Sequence, residues 1–236
     1  MSSPAQQTSA VVIGASGGIG HALADALAAS GDHAVIHRFG RSVPGDGRLD
    51  FGDEASIVAA ATRVKAGPTP TLIVVAAGVL HDGHEPERSY KAMTAEHLLR
   101  DYRVNTVGPA LVAKHFAPLL PRDRRAVFAA LSARVGSIGD NRLGGWHSYR
   151  ASKAALNMIL KNLAVELGRS HPQAVVAGLH PGTVDTDLSQ PFQKGVAEGK
   201  LFTPAFSAER MLTVIEGLTP ADSGGVFAWD GARIPE

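Results

Sequence analysis

Residues 11–20 read VVIGASGGIG, an apolar run that passes directly into a cluster of glycines. Beyond the cluster Ile19, Leu23 and Leu27 recur at helical spacing until Gly31, so the stretch predicts a strand, a tight turn and a helix. Glycines in such a turn let the backbone approach a pyrophosphate closely, and the helix N-terminus attracts its negative charge. The stretch lacks the Gly-Lys-Ser/Thr ending of a P-loop, which argues against a nucleoside triphosphatase. It therefore predicts a dinucleotide site.

The rest of the chain alternates between short apolar runs and helical patterns. Further strands are predicted at 34–39, 48–51, 72–77, 126–131, 174–179 and 226–229. Helices are predicted at 53–65, 94–120, 147–169 and 207–218, with a bend or break in the second at Gly108-Pro109. This alternation predicts an α/β fold, with a doubly wound parallel sheet covered by helices on both faces. We expect one domain over residues 1–236, with a short tail at 1–9.

The composition fits a folded chain with a large core, because 44% of its 236 residues are hydrophobic and 19% are charged. A net charge of +1 gives no reason to expect nucleic acid or an anionic membrane as a partner. The lack of cysteine excludes disulfides and thiol chemistry. The first ten residues do not resemble a secretion signal, and the apolar run at 72–80 is too short to span a bilayer as a helix. By default we place the protein in the cytoplasm.

The end of the second predicted strand indicates which dinucleotide is bound. An acidic residue there accepts hydrogen bonds from a free ribose 2′-hydroxyl, whereas a cation accommodates a 2′-phosphate. Residues 37–42 read HRFGRS, so Arg38 and Arg41 are present and no carboxylate is. This favours NADP over NAD, although NAD stays possible because both arginines could be solvated surface residues.

Tyr149 and Lys153 lie four residues apart in the helical pattern at 147–169, and residues four apart share one helix face. Hydride transfer to a carbonyl leaves an alkoxide that needs a proton, and a tyrosine with a pKa of about 10 is a sluggish donor at neutral pH. A neighbouring ammonium favours the phenolate and so lowers that pKa. The alternative is an exposed amphipathic pair whose tyrosine only packs.

Several motifs in order make the chain resemble the short-chain dehydrogenases/reductases from about Ala10 onward. Besides the glycine loop and the Tyr149/Lys153 pair they are Asp50, Ala76-Ala77-Gly78, Val104-Asn105-Thr106 and His180-Pro181-Gly182-Thr183. The stretch 136–149 and the ending Gly224-Gly225-Val226-Phe227 are similar to the C-factor and sniffer-like carbonyl reductase branch. The resemblance implies a Rossmann fold with a seven-stranded sheet, in strand order 3-2-1-4-5-6-7.

The resemblance also implies roles for individual residues. Tyr149 would be the general acid-base, Lys153 its tuner and an anchor for the nicotinamide ribose, and Asn105 the organiser of a kinked helix and a relay water. Asp50 would meet the adenine, and the turn at 181–183 the nicotinamide carboxamide. The residues expected to bind the cofactor are Gly14, Ser16, Gly18, Ile19, Gly20, Arg41, Asp50, Phe51, Ala77, Gly78, Tyr149, Lys153, Pro181, Gly182 and Thr183.

The chain departs from the family pattern after the fifth predicted strand. The family usually has two adjacent serines there, the second of which polarises the substrate carbonyl. Aligned through Gly136, that serine becomes Ala133, and Ser132 lies one residue early, which on a strand points to the opposite face. Ser132 is the provisional carbonyl donor if the backbone turns there, and Ser137 is a less favoured substitute. Losing such a donor costs about 10²–10³ in rate. Ala76, where many members have asparagine, is a second departure, which we expect to affect sheet packing.

The remaining candidates are weaker. His81, Asp82 and His84 could suggest a metal, but without a third well-spaced ligand we expect a solvated loop and no metal. Trp146 is expected to pack rather than to bind substrate, and the region of about 188–204 resembles the family's substrate lid.

We expect an NADP-dependent oxidoreductase that acts on a small carbonyl or alcohol. Its partners would be that small molecule and, by the family resemblance, further copies of itself in a homodimer or homotetramer. The alternative is a signalling protein of the C-factor type that binds a dinucleotide with little or no turnover.

Overall fold

The computed structural model describes residues 7–81, 83 and 85–236. Six strands, numbered here in chain order, form a parallel sheet in the order β2-β1-β3-β4-β5-β8. They are β1 (Thr8–Ile13), β2 (Val35–Phe39), β3 (Thr69–Val75), β4 (Ala126–Leu131), β5 (Ala174–His180) and β8 (Gly225–Ala228). Two short strands, β6 (Thr183–Val184) and β7 (Leu201–Phe202), pair with each other outside this sheet.

Helices cover both faces of the sheet, which confirms the doubly wound α/β fold. They are α1 (Gly18–Ser30), α2 (Glu54–Lys65), α3 (Ala95–Tyr102), α4 (Gly108–Phe116), α5 (His147–Leu167) and α6 (Pro204–Gly217). Side chains alternate along β1, so that Val11 and Ile13 belong to a core with α2, α4 and α5. Ala10 and Val12 belong to a second core with α1 and α6. Because all six strands are parallel, their carboxyl ends lie at one edge of the sheet.

The prediction of seven strands is wrong in one place. Residues 48–51 form no strand, and Arg48 makes only an isolated bridge with Gly40. The Leu49 amide donates to the Gly40 carbonyl at 3.1 Å, but the Arg48 amide donates to the Gly45 carbonyl at 3.1 Å and the Asp50 amide to Ser56 Oγ at 2.9 Å, both in local turns. Without the third predicted strand, the remaining strand order is the predicted one.

Some predicted boundaries also shift. Strand β1 starts at Thr8, so residues 8 and 9 of the predicted tail belong to the sheet, and Ser9 Oγ donates to the Pro68 carbonyl at 2.7 Å. Residues 1–6 of that tail lie outside the described residues. Strand β3 ends at Val75 rather than at Ala77.

The predicted break in the middle helix is a π-helical turn at Arg103–Val107 between α3 and α4. Pro109 is the second residue of α4, which continues directly from the π-turn. A π-turn re-aims the side chains that follow it and is frequent at functional sites. Asn105 lies inside this turn. In the described part of the chain, no helix has the length and apolar character needed to cross a membrane.

Candidate active site

Tyr149 and Lys153 meet at the carboxyl edge of the sheet, in the first two turns of α5. Both are buried, with 8% and 3% of their surfaces exposed, and Lys153 Nζ lies 5.8 Å from the centre of the Tyr149 ring. Nζ donates a hydrogen bond to the Leu131 carbonyl, the last residue of β4, at 2.9 Å. Burial at the end of a strand does not fit the alternative of an exposed amphipathic pair.

Burial governs the acidity of both groups in the ligand-free chain. Loss of solvent, with a contribution from the negative Asp101, raises the pKa of the Tyr149 phenol well above its ordinary value. Loss of solvent lowers the pKa of Lys153 to about 8, against a smaller opposing effect of Asp101. The expectation that the ammonium would lower the tyrosine pKa is therefore not met here, because desolvation of the phenolate outweighs the attraction.

The start of α5 is held by a residue that is distant in sequence. Its N-cap, Trp146, has a φ of 51° and is the only non-glycine residue of the described chain in the left-handed region. Ser148 donates from its backbone N to Glu87 Oε2 at 3.2 Å, and from its hydroxyl to Glu87 Oε1. Burial opposes ionisation of Glu87, but these hydrogen bonds hold the pKa of its carboxyl below the ordinary value. Glu87 thus replaces the local cap, a role that no sequence pattern indicated.

Asn105 connects the π-turn to both neighbouring segments. Its Oδ1 accepts from the Val79 amide at 2.8 Å, and its Nδ2 donates to the Val79 carbonyl at 2.8 Å and to Ser152 Oγ at 3.0 Å. A side chain at Gly78 would come within 3.2 Å of Asn105 Oδ1 and 3.4 Å of Lys153 Nζ. The arrangement ties the loop after β3 to α5 beside Tyr149 and Lys153.

Ser132 borders the cleft, but its hydroxyl is engaged. Oγ donates to Asn157 Oδ1 at 2.6 Å, while the Ser132 amide continues the strand pairing to the Leu179 carbonyl at 2.8 Å. Ala133 belongs to the apolar cluster around Tyr149, against which Trp146 and Phe192 pack. Ser137 Oγ accepts from the Asp140 amide at 3.0 Å, which gives it a role in a turn.

A cleft of about 650 Å³ runs from the glycine loop to Tyr149. Most predicted cofactor residues line it: Gly14, Ser16, Gly18, Ile19, Arg41, Asp50, Phe51, Ala77, Gly78, Tyr149, Lys153 and Pro181. Gly20 allows α1 to pack closely against the glycine loop, because a Cβ atom there would lie 2.1 Å from the Gly14 carbonyl oxygen. Gly182 and Thr183 are not among the lining residues; Gly182 packs against the Phe202 ring and Thr183 begins β6.

The two arginines after β2 have different environments. Arg38 forms an ion pair with Asp25 at 2.7 Å and donates to the Ala24 carbonyl at 3.2 Å, so its guanidinium is bound to α1. Arg41 is exposed and lines the cleft beside Ser16 and Ser42. Arg103 also lines the cleft. Its Nη2 lies 3.5 Å from the position that a Cβ atom added at Gly52 would occupy. Sequence reasoning missed Arg103 because its position in the π-turn follows from tertiary structure.

An aromatic cluster closes the end of the cleft near the phenol. The Trp146 ring centre is 4.9 Å from that of Phe192 and 6.3 Å from that of Tyr149. The His81 ring centre lies 6.0 Å from that of Phe192, and His81 Nε2 is 2.9 Å from the Asp187 carbonyl oxygen. A short helix at Gln190–Gly195 in the predicted lid region thus brings Phe192 against the cluster that contains Tyr149. Asp82 and His84, of the weak metal candidate, lie outside the described residues.

Comparison with known proteins identifies the family. Residues 14–216 match the family model described as enoyl-(acyl carrier protein) reductase. The chain belongs to the short-chain dehydrogenase/reductase family. Members of this family are nicotinamide-dependent oxidoreductases, so the predicted enzyme class is confirmed.

Individual family members are similar over most or all of the chain. The 1-hydroxy-2-glutathionyl-2-methyl-3-butene dehydrogenase of Rhodococcus sp. is 32% identical over 235 residues, 95% of this chain and 97% of that protein. The C-signal of Myxococcus xanthus is 35% identical over 139 residues, 58% of this chain and 78% of that protein.

Solved structures of the family share the fold. NADPH-bound carbonyl reductase from chicken fatty liver has a TM-score of 0.80 and 25% identity, covering 98% of this chain and 95% of that one. The carbonyl reductase Sniffer of D. melanogaster has a TM-score of 0.79 and 22% identity, with 98% and 100% covered. The predicted resemblance to the C-factor and sniffer-like branch is thus confirmed.

Proposed function

We propose that this short-chain reductase transfers a hydride between NADP(H) and a carbonyl or alcohol substrate, with Tyr149 as general acid-base. The observation that carries the proposal is the buried Tyr149/Lys153 pair at one end of a cleft whose other end is the glycine loop. NADPH in the carbonyl reductase from chicken fatty liver supports the choice of cofactor.

The residues that line the cleft fit a dinucleotide. Helix α1 begins at Gly18 with no side-chain cap from Gly17, so its first amides can receive a pyrophosphate. Asp50 and Phe51 border the opposite wall, where an adenine would lie, and Arg41 suits a 2′-phosphate. Lys153 borders the far end, within reach of a nicotinamide ribose, and Pro181 would border the carboxamide. The bound nicotinamide would supply or accept the hydride.

The chain's own groups manage the proton. With its pKa raised, Tyr149 is a neutral phenol at physiological pH, which is the form that donates to the oxygen of a carbonyl undergoing reduction. Lys153 is largely an ammonium at neutral pH and stabilises the phenolate left after donation. Asn105 holds the loop at Val79 beside the pair, where a relay water would sit.

Ser132 is the proposed donor to the substrate carbonyl. Position 133 is an alanine, and of the two serines at 132 and 137 Ser132 is the one that borders the cleft. To serve, its hydroxyl must exchange its bond to Asn157 for one to substrate. This requirement suits a slow enzyme for simple carbonyls.

We also propose that copies of the chain pair through α3, α4 and α5. Leu99, Met158 and Val165 on α3 and α5 are exposed apolar side chains, with 70%, 60% and 53% of their surfaces accessible. Exposed apolar groups on neighbouring helices suit an interface. Sedimentation analysis would show a dimer or tetramer.

The function is tested by an NADPH-consumption screen over aldehydes, ketones and quinones, with NADH as the cofactor control. Consumption of NADPH with at least one carbonyl class supports the proposal. Tight NADPH binding with no consumption would favour the signalling alternative, for which the similarity to C-signal is the observation in favour.

A further inference from the structure

Arg103 is a cationic residue in the cleft to which the proposed function gives no role. It is exposed, it begins the π-turn two residues before Asn105, and it lines the cleft. Within the described part of the chain, its guanidinium has no hydrogen-bond or ion-pair partner. Its N–H donors and its flat face are therefore free for a ligand.

Arg103 lies beside the turn at 50–52, which borders the wall where an adenine would lie. A Cβ atom added at Gly52 would lie 3.5 Å from Arg103 Nη2 and 3.3 Å from Asp50 Oδ1. The Asp50 carboxylate is engaged by its own turn, since Oδ1 accepts a hydrogen bond from the Gly52 amide at 2.8 Å. The Arg103 guanidinium is thus close to this turn without forming an ion pair with Asp50.

Two other flat side chains border this end of the cleft, those of Phe51 and Arg41. A Cβ atom added at Gly108 would lie 2.1 Å from Phe51 Cδ2, so the Phe51 ring packs on the start of α4 and on the core behind it. Arg41 lines the cleft with Ser16 and Ser42, and hydroxyl groups beside a guanidinium suit a phosphate. Arg103 is the flat side chain that is left to meet the base.

We propose that Arg103 binds the adenine base of the cofactor, with its guanidinium stacked on the ring. A planar guanidinium is attracted to the face of an aromatic ring, and arginine contributes to base stacking in proteins that bind single-stranded nucleic acids. The inference rests on the proposed function, because it concerns the cofactor of that site.

The two arginines then recognise different parts of the dinucleotide. Arg41 contacts the 2′-phosphate, which NADP(H) carries and NAD(H) lacks, whereas Arg103 contacts the adenine that both cofactors share. Loss of Arg103 therefore weakens both cofactors by the same factor. Arg103 also shares its five-residue π-turn with Asn105, so the base contact holds the segment that carries Asn105.

The test compares Arg103→Met, which keeps a long stem without the planar cation, with Arg103→Lys, which keeps the charge without the plane. Fluorescence titration measures NADPH and NADH binding, and displacement of NADPH measures binding of 5′-AMP, which carries the adenine alone. We expect Arg103→Met to weaken all three ligands by about tenfold, and Arg103→Lys to weaken them by nearly as much. Because Arg103 is exposed, both variants should keep the wild-type midpoint of thermal unfolding.

Arg63→Met is the matched control. Arg63 is an exposed arginine on α2 whose Nη1 lies 3.1 Å from Asp46 Oδ2, and it is not among the residues that line the cleft. Its loss should leave the binding of all three ligands unchanged.

Three results would overturn the inference. A loss confined to NADPH would place Arg103 on the 2′-phosphate, wild-type binding in Arg103→Met would show no contact, and wild-type binding in Arg103→Lys would show that charge alone suffices. The titrations need no turnover, so they still decide the role of Arg103 if the wild type binds NADPH but reduces no carbonyl, a result that contradicts the proposed function alone. A wild type that binds neither dinucleotide would overturn both.

Discussion

The cleft has two ends that are built in different ways: the dinucleotide end at the glycine loop, where we propose that the cofactor binds, and the catalytic end, where we propose that Tyr149 acts. The glycine loop at the dinucleotide end is contiguous in sequence, although it packs against Ala76 after β3. The catalytic end is formed by residues that are distant in sequence, since Glu87 contacts Ser148 across 61 residues and Asn105 contacts Ser152 across 47. We therefore expect substitutions within the glycine loop to have large effects on the dinucleotide end, whereas residues on several separate elements affect the catalytic end.

The glycine loop should be the most sensitive to substitution. Gly14 has a φ of +93°, and a Cβ there would lie 2.7 Å from the Ala76 backbone. We expect Gly14→Ala to lower the free energy of unfolding by about 4 kcal/mol, from backbone strain and overpacking together, and to abolish NADPH binding.

Gly31→Ala is the matched control for this substitution. Gly31 has a φ of +73°, but a Cβ added there would meet no atom within 4 Å, so only the strain of about 1 kcal/mol remains. Urea unfolding of both variants measures the difference. Equal losses of stability would show that close packing around Gly14 is unimportant.

At the catalytic end, Asp101 should make stability depend on pH. Its pKa is raised on folding from 3.8 to about 6, so the folded state binds the proton more tightly. The group's destabilising effect is therefore absent below about pH 3.8, grows between pH 3.8 and about 6, and is constant at about 3 kcal/mol above that range. We expect Asp101→Asn to be more stable than the wild type at pH 8, with the gap closing at pH 4. Denaturant titrations at the two pH values measure this, and a gap that is constant with pH would contradict it.

The distant cap of α5 should contribute less. Glu87→Gln replaces one of the two oxygens that accept from Ser148 with an amide NH2, which cannot accept, and we expect a loss of about 2 kcal/mol in unfolding free energy with a fall in kcat. Glu85→Gln removes an exposed carboxylate from the same loop and should change neither quantity. Thermal unfolding and initial rates measure both variants. A Glu87→Gln protein with wild-type stability would show that the cap is dispensable.

The smallest effect is expected at the edge of the dinucleotide end. Arg41→Ala should weaken NADPH binding about tenfold, or about 1.4 kcal/mol, and leave NADH binding unchanged. Arg38→Ala is the control, since Arg38 is paired with Asp25 and should not affect either cofactor. Fluorescence titration with the two cofactors measures this, and equal losses for NADPH and NADH would contradict a 2′-phosphate contact.

The same contrast explains how much the sequence could predict. The strand–turn–helix at the glycine loop and the helix that carries Tyr149 and Lys153 follow from local periodicity and motif, and the strand order follows from the family resemblance; the structure has them where expected. The strand at 48–51 was wrongly predicted, because the Arg48 and Asp50 amides donate to Gly45 and Ser56 in local turns, so that only Leu49 pairs with the neighbouring segment at Gly40.

The missing parts of the catalytic end depend on contacts between distant segments. No pattern around Glu87 or Asp101 distinguishes a buried carboxylate from an exposed one, and α3 would be expected to carry Asp101 on its surface. The acidity of Tyr149 could not be predicted either, because it depends on how completely the folded chain excludes water from the phenol.

The most direct measurement of the central claim compares Tyr149→Phe with the wild type in NADPH binding and in turnover, on the best substrate of the screen. We predict that the dissociation constant for NADPH stays within about twofold, while kcat falls by about 10²–10⁴ because the proton donor is lost. Turnover of Tyr149→Phe at the wild-type rate would contradict the assignment of Tyr149 as the general acid-base.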